Sequence, residues 1–362
     1  MRAALALAGR GLGLTWPNPA VGCVVVRDGL VAGRAVTAPG GRPHAEPAAL
    51  AMAGAAARGA TVYVTLEPCC HWGRTPPCTD TLIAAGVARV VIGARDPDPR
   101  VDGEGIARLR AAGIAVTEGV LAAEAAEALA GFARRIRTGR PLVTLKLAST
   151  LDGRIATRDG ESRWITGSPA RRMAHALRGR HDAVLVGAGT VAADDPDLTC
   201  RLPGFRPTPV VRIVADSHLR TALTARVVAS ARDVPTWFLV REDADRGRRD
   251  AFADAGVTLI ETPPASTGVD LTRGFAHLGA AGLTRVLVEG GGQLAAALLR
   301  EGLVDRIAWF HAPAVMGGDG WPAVAAFGVD RLDRMPRFVR RSTMPLGPDL
   351  LSLFDVQPEG HT

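Results

Sequence analysis

Short apolar runs and Ala-rich helical stretches alternate along this chain, and the alternation starts afresh at Arg140-Pro141. Before that point the order is a helix over residues 2–9, two strand-like runs (GCVVVRD and LVAGRAV) hinged at Asp28-Gly29, and a helix over 44–58. The strand ATVYVTLEP follows, then a helix over 78–85, the strand ARVVIGA, a helix over 103–112, the strand IAVTEG and a last helix over 121–137. After it, PLVTLKLAST, DAVLVGAG, PVVRIVAD, VPTWFLV, TRVLVEGG and RIAWFHAP read as strands, with helices expected at 168–179, 246–255, 270–281 and 292–301. Alternation of this kind builds α/β layers around a mainly parallel sheet. A length of 362 residues suits two such domains, so we expect domains at 1–141 and 142–362. Residues 330–362 show no clear pattern.

Composition narrows the class. With 47% hydrophobic and 22% charged residues the chain is globular rather than disordered. No run of 18 apolar residues escapes a charge or a Pro/Gly break, which argues against a membrane span. The opening MRAALALAGRGLG is interrupted by Arg10 before it could serve as a secretion signal, so an amphipathic first helix and a cytoplasmic location are expected. The net charge is +7 and no block of five or six like charges occurs, so a nucleic-acid-binding tail is not indicated, while binding of a smaller anion such as a phosphate stays open. The chain holds one lysine, Lys146, and one asparagine, Asn18. In a sequence that otherwise avoids both types, each is a candidate for a position that needs its side chain.

Three of the five cysteines fall within ten positions, a spacing that fits a metal or catalytic site better than a disulfide framework. His44-Ala45-Glu46 precedes Glu67-Pro68-Cys69 and then Cys78. One imidazole and two thiolates suit zinc and leave a fourth coordination position for water. His44 and Cys78 open predicted helices, and a helix N-terminus favours a thiolate. Glu46, beside the metal but not bound to it, would carry the proton from water to a departing amine. The pattern is that of zinc deaminases, H-x-E followed by P-C-x-x-C, except that eight residues separate Cys69 from Cys78. Cys70 competes with Cys69; Cys69 is preferred because it directly follows Glu67-Pro68. The plainer reading makes His44 a helix cap and the cysteines small core residues.

PNPAVGCVVV, PHAEPAAL, TLEPCCHWGRTPPC and IAAGVARVVIGARDPDP together resemble the deaminase half of the bifunctional riboflavin-biosynthesis deaminase/reductase family. That family accommodates the long insertion between the cysteines. The resemblance implies a cytidine-deaminase-like three-layer α/β/α domain whose pyrimidine lies over the zinc. Asn18 would bond the ring, and His71 and Arg74 would meet a ribose phosphate, for which a guanidinium fork is apt. Trp16 and Ala20 stand where more polar residues would be expected.

The second half offers LKLASTLDGRIA, SRWITG, VLVGAGTVAADDPDLTCR and VLVEGGGQLAAALL. The last joins a strand to a helix through consecutive glycines, which let backbone approach a ligand phosphate; a tight turn explains the glycines equally well. As a series these segments resemble the reductase half of the same family, which implies a dihydrofolate-reductase-like α/β fold and NADPH. By that resemblance the cofactor meets Ala148, Trp164, Thr190, Asp194, Ser217 and the turn Gly291, Gly292, Gln293 and Leu294. The substrate, a phosphoribosyl pyrimidine, meets Ser162, Arg178, Leu198, Arg201 and Glu289. Lys146 is a catalytic candidate: opening a ribosylamine ring and reducing the imine develops charge that a neighbouring cation stabilises. The expected function is thus zinc-dependent deamination followed by NADPH-dependent reduction, in a chain that forms homo-oligomers. The alternative is a tRNA or nucleobase zinc deaminase with a non-catalytic C-terminal nucleotide-binding or oligomerisation module. An aromatic content of 4% is poor for stacking on RNA bases.

Overall fold

A computed structural model describes residues 1–205, 208–265 and 268–357. Chain contacts group them into two compact units, Met1–Arg140 with Ala281–Thr284, and Pro141–Ala280 with the residues from Arg285 onward.

The first unit begins with helix α1 (Arg2–Gly11), whose buried stripe Ala4, Ala8 and Gly11 faces the sheet. The hairpin β1 (Gly22–Arg27) and β2 (Leu30–Val36) turns at Asp28-Gly29, both with positive φ, as an Asp-Gly turn requires. Helix α2 (Ala45–Ala53), β3 (Thr61–Leu66), α3 (Cys78–Ala84), β4 (Arg89–Ala94), α4 (Glu104–Ala111), β5 (Ala115–Thr117) and α5 (Ala122–Thr138) complete it. The sheet order is β2-β1-β3-β4-β5. Only β3–β4 and β4–β5 are parallel; the hairpin makes β1–β2 and β1–β3 antiparallel, so the sheet is half parallel rather than mainly so. Helices α1 and α5 pack together, as do α2, α3 and α4, which gives three α/β/α layers around a core of Val25, Val62, Val64, Ile92 and Leu109.

The second unit runs through β6 (Leu142–Ser149), β7 (Arg154–Ala156), α6 (Ser168–Gly179), β8 (Ala183–Gly187), α7 (Ala188–Asp194), β9 (Val211–Ala215), α8 (Arg226–Ala229), β10 (Thr236–Arg241), α9 (Arg246–Asp254) and β11 (Thr258–Thr262). Short β12 (Pro264–Ala265) and β13 (Gly268–Val269) lead to α10 (Leu271–Ala280), β14 (Arg285–Val288), α11 (Gly292–Arg300), β15 (Arg306–His311), β16 (Trp321–Pro322), β17 (Phe338–Leu346) and β18 (Asp349–Val356). Nine strands form one sheet in the order β11-β10-β9-β8-β14-β6-β15-β18-β17. It is parallel from β11 to β15, and the β17–β18 hairpin closes one side antiparallel. Central strands are buried on both faces, which is why they read as unbroken Val/Leu/Ile runs. Among the described residues no helix is long and apolar enough to cross a membrane.

Candidate active sites

In the first unit three ligand atoms converge. His44 is the N-cap residue of α2, with extended backbone that turns its ring off the helix end. Cys69 lies just beyond the end of β3, and Cys78 is the first residue of α3. His44 Nδ1 is 3.3 Å from Cys78 Sγ and 3.8 Å from Cys69 Sγ, and the three donor atoms lie within 4.8 Å of one another. A tetrahedral zinc with ordinary Zn–N and Zn–S bonds places such donors about 3.6 to 3.8 Å apart. The donor set therefore fits the ion in chemistry and in spacing.

The electrostatics explain how thiols are readied for a metal. The amide of Cys78, at the α3 N-terminus, points at Cys69 Sγ across 3.4 Å, and the amide of Thr79 donates to the Cys69 carbonyl at 3.2 Å. The helix end thus serves the sulfur of the preceding loop as well as its own residue. The Cys69 thiol is pulled down to about 4, chiefly by the hydrogen bond from Cys78, with His44 adding to it. The same bond, together with burial, pushes the Cys78 thiol up. Metal binding requires both sulfurs as thiolates and so releases their protons. The Cys70 sulfur faces the Arg100 carbonyl at 3.6 Å, away from this cluster. Cys23 is buried in the core and Cys200 contacts the His175 carbonyl.

Glu46 sits in the first turn of α2 and is 4% exposed. Burial pushes its carboxyl up to about 7, helped by the charge on Cys69 and opposed by His44. That is the range in which a carboxylate both accepts and returns a proton at neutral pH. Glu67, two residues before Cys69, plays a different part. Its buried carboxylate accepts the backbone N–H groups of Asp96 at 3.2 Å, Gly103 at 3.0 Å and Ile106 at 3.2 Å. It thereby fixes the 96–103 loop and the first turn of α4 beside the cysteines.

A cavity of about 450 Å³ opens over the cluster, with Asn18, His44, Glu46, Cys69, His71 and Arg74 all on its wall. Asn18 Nδ2 donates to the Gly41 carbonyl at 2.8 Å and lies 3.5 Å from His44 Nε2. His71 Nδ1 is buried and has no hydrogen-bond partner among the described residues. The wall also carries residues that sequence reasoning missed: Arg42, Asp96, Asp98, Arg100 and Arg135. Arg42 precedes the Pro-His-Ala-Glu motif directly. Arg135 hid in the last turn of α5, where a basic residue is ordinary. Asp98 is gripped by the Arg100 guanidinium, which holds its carboxyl below the usual range, whereas burial pushes Asp96 up to about 7.

In the second unit, Lys146 and Ala148 project to one face of β6, Glu289 follows β14, and Arg178 comes from α6. Arg178 Nε and Nη2 clasp the Glu289 carboxylate at 2.5 and 2.9 Å, while Nη1 donates to the Thr199 carbonyl at 3.0 Å. Lys146 Nζ approaches the same carboxylate to 3.9 Å. Burial alone would raise the Glu289 carboxyl, but Arg178 and Lys146 outweigh it and bring it to about 2. Burial lowers the Lys146 ammonium, an effect Arg178 reinforces and Glu289 resists. Glu289 is therefore a fixed anion, and Lys146 is the group of this trio able to release a proton.

These side chains face a second cavity, of about 460 Å³, whose wall also includes Ala148, Ser162, Trp164, Thr190, Asp194, Leu198 and Arg201. Trp164 is 69% exposed, with the Arg171 guanidinium 4.6 Å from its ring centre, so it is a surface platform and not a core aromatic. Leu198 is buried, with φ +54, among core residues. The structure does not bring Ser217, Gly291, Gly292, Gln293 or Leu294 onto this wall. Ser217 sits past the end of β9, its carbonyl accepting the Arg241 amide at 3.1 Å. Gly291 has φ +48 at the N-cap of α11 and abuts Thr190, and a side chain at Gly292 would meet the Pro322 carbonyl. The glycine run is thus demanded by protein packing whatever else it binds. Leu294 is buried.

Two family models match the chain: the cytidine and deoxycytidylate deaminase zinc-binding region over residues 1–94, and the RibD C-terminal domain over residues 141–351. The riboflavin biosynthesis protein RibD of Escherichia coli is 42% identical over 361 residues, covering 97% of this chain and 96% of that protein. The chain belongs to the RibD family. The Aquifex aeolicus member is 40% identical over 98% of this chain and 97% of its own length. Among solved structures, Acinetobacter baumannii RibD aligns with a TM-score of 0.88 at 37% identity, covering 98% of this chain and 97% of that one. A diaminohydroxyphosphoribosylaminopyrimidine deaminase/5-amino-6-(5-phosphoribosylamino)uracil reductase from Thermotoga maritima aligns at 0.85 and 34%, covering 99% and 97%. Like the rest of its family, this chain is a bifunctional riboflavin-biosynthesis enzyme. It is a hydrolase with a zinc-binding, cytidine-deaminase-like domain and an oxidoreductase with a dihydrofolate-reductase-like, NADPH-dependent domain. The tRNA-deaminase alternative is not favoured.

Proposed function

We propose that residues 1–141 deaminate 2,5-diamino-6-(5-phosphoribosylamino)pyrimidin-4(3H)-one and that residues 142–362 reduce its deaminated product to 5-amino-6-(5-phosphoribitylamino)uracil. The observation that carries the first step is the convergence of His44 Nδ1 with two sulfurs beside a buried, proton-active Glu46. Zinc, when bound by His44, Cys69 and Cys78, supplies a water acidified to near neutrality. Glu46 takes the proton of that water and delivers it to the departing amine. Asn18, pinned through its amide nitrogen, keeps its oxygen for the pyrimidine ring. His71 and Arg74, with Arg42 and Arg135 on the same wall, receive the phosphate.

In the reductive step NADPH, when bound, supplies the reducing equivalent. Arg178 and Arg201 hold the substrate's anionic end while Ser162 and the backbone at Leu198 line its path. Lys146 donates the proton that opening and reducing the ribose chain require, and Glu289 anchors Lys146 and Arg178. Trp164, Ala148, Thr190 and Asp194 flank the cofactor, with Ser217 and the Gly291–Leu294 turn further along it. We assign the chain to the cytoplasm as a homo-oligomer acting on small molecules, with neither nucleic acid nor membrane as partner.

Zinc quantification combined with ammonia release tests this reading on the full chain. Glu46→Gln is expected to retain one zinc and to lose ammonia release by about 10²- to 10⁴-fold. NADPH oxidation with the deaminated pyrimidine should stay at the wild-type rate. Wild-type ammonia release by Glu46→Gln, or loss of zinc in Cys70→Ser and not in Cys69→Ser, would refute it.

A further inference from the structure

Eight residues separate Cys69 from Cys78, and the reading above uses only His71 and Arg74 among them. This insertion is anchored at both ends. Before it, the Cys69 carbonyl accepts the Thr79 amide at 3.2 Å, and the Cys70 carbonyl accepts Arg108 of α4 at 3.1 Å. After it, Pro77 is buried as the N-cap residue of α3. Between these anchors the chain meets solvent: Trp72 is 72% exposed, and the four residues that follow it are exposed as well. Among the described residues, one hydrogen bond ties residues 71–76 to another segment. Arg42 Nη1 donates to Thr75 Oγ1 at 2.5 Å. Arg42 Nη2 lies against Gly73, 3.2 Å from where a Cβ would stand. The guanidinium thus spans the 73–75 turn from which Arg74 projects.

Arg42 itself stands on a fixed base. The Ala38 amide donates to the Pro43 carbonyl at 3.0 Å, and the Gly41 amide to the Ala38 carbonyl at 2.8 Å. Asn18 Nδ2 donates to the Gly41 carbonyl at 2.8 Å. With φ +86, Gly41 leaves no room for a Cβ, which would meet Asn18 at 2.7 Å. The bond to Thr75 therefore sets where the insertion lies over the cavity that His71, Trp72 and Arg74 line. A charged donor makes it stronger than a bond between neutral groups. His71 needs such a constraint, because its buried Nδ1 has no partner among the described residues and serves a ligand only while the insertion stays down.

We infer that Arg42 is a positioning residue of the deaminase half: through Thr75 it latches the insertion onto the cavity, so that His71 and Arg74 meet the substrate phosphate together. The inference rests on the reading of His71 and Arg74 as phosphate-binding residues. Thr75→Val tests it, since it removes the accepting oxygen and keeps the shape. In ammonia release by the full chain, KM for the phosphoribosyl pyrimidine should rise about tenfold or more with kcat within about twofold, the mark of binding lost equally from ground and transition states. Thr75→Ser, which restores the oxygen, should recover the wild-type KM. Both variants should retain one zinc and oxidise NADPH at the wild-type rate with the deaminated pyrimidine. Tryptic cleavage after Arg74, followed on the native enzyme by mass spectrometry, should be about tenfold faster in Thr75→Val than in wild type or Thr75→Ser. In an Arg42→Ala background, Thr75→Val should add nothing further. An unchanged KM or cleavage rate in Thr75→Val, loss of its zinc, no recovery in Thr75→Ser, or additive losses from the two substitutions overturns the latch. Arg74→Ala separates the latch from the reading beneath it. A KM raised in Arg74→Ala and not in Thr75→Val refutes the latch alone, whereas an unchanged KM in Arg74→Ala refutes the phosphate reading and the latch with it.

Discussion

Lys146 shows what a single side chain can reveal before any coordinates exist. A sequence with one lysine among its basic residues places it on a central strand, half-buried, 3.9 Å from a carboxylate that Arg178 already claims. An ion pair formed only for stability would not require that third member, since the Arg178–Glu289 clasp is bidentate and complete. The lowered proton affinity of the lysine suits a donor, and a guanidinium cannot replace it because it does not release its proton near neutrality. Lys146→Arg is therefore expected to reduce the deaminated substrate about 10²-fold or more slowly, with ammonia release unchanged. NADPH oxidation followed at saturating substrate checks this, and a wild-type rate would return Lys146 to a structural role. Asn18, the other sole survivor of its type, also stands on a cavity wall. Arg42 and Arg135 line the same wall yet were unreadable in the sequence, because in an arginine-rich chain one more arginine carries little information.

Segments were most legible where two periodicities agreed. The Asp28-Gly29 hairpin, the helix starting at Ser168 and the buried strands of the second unit follow directly from turn chemistry and apolar runs. Helix α7 is absent from the helices expected from the sequence, since Ala-Gly-Thr-Val-Ala-Ala-Asp is too short and too rich in small residues to show a helical stripe. The β17–β18 hairpin escaped notice because β17, at the sheet margin, is exposed along most of its length and carries Arg340, Arg341 and Pro345. The loop bound by Glu67 was equally invisible, for its order comes from a carboxylate some thirty residues away. The first turn of α4, which Glu67 holds through the Ile106 amide, yields a prediction. A side chain at Gly105 would meet the Pro68 carbonyl at 2.2 Å and the Glu67 carboxylate at 3.1 Å, directly beside Cys69. Gly105→Ala should cost about 1 to 3 kcal/mol and should lower zinc affinity as Pro68-Cys69 is displaced. Thermal unfolding together with competition against a chelator measures both, and unchanged values would show that the start of α4 yields freely.

The division of labour between the two halves was visible as a restart of the strand–helix pattern, but what each core tolerates was not. His181 is the instructive case. Its sequence context, Arg-His-Asp between a helix and a strand, looks like a surface turn. It is instead 5% exposed, with Nδ1 donating to the Leu177 carbonyl at 2.7 Å and Nε2 facing the Thr144 hydroxyl at 3.1 Å. Both ring nitrogens are hydrogen-bonded in the neutral form, and a charged ring would be buried away from water. Burial drives the imidazole down to about 3, from an ordinary 6.5. Above 6.5 the folded and unfolded states both hold a neutral ring and the group contributes nothing to pH dependence. Between 6.5 and about 3 the unfolded chain takes up a proton that the folded one refuses, so stability falls as the solution is acidified. Glu289, held at about 2, adds to the loss only once the pH drops below its unbound value of 4.5. Between pH 6.5 and 5 the term should be isolable by comparing urea midpoints of wild type and His181→Gln by tryptophan fluorescence. The variant starts lower at pH 7 but has no group to protonate, so the gap between the two should narrow steadily toward pH 5. A constant gap would mean that the ring is protonated in the folded enzyme and that the Leu177 and Thr144 contacts do not enforce its neutrality.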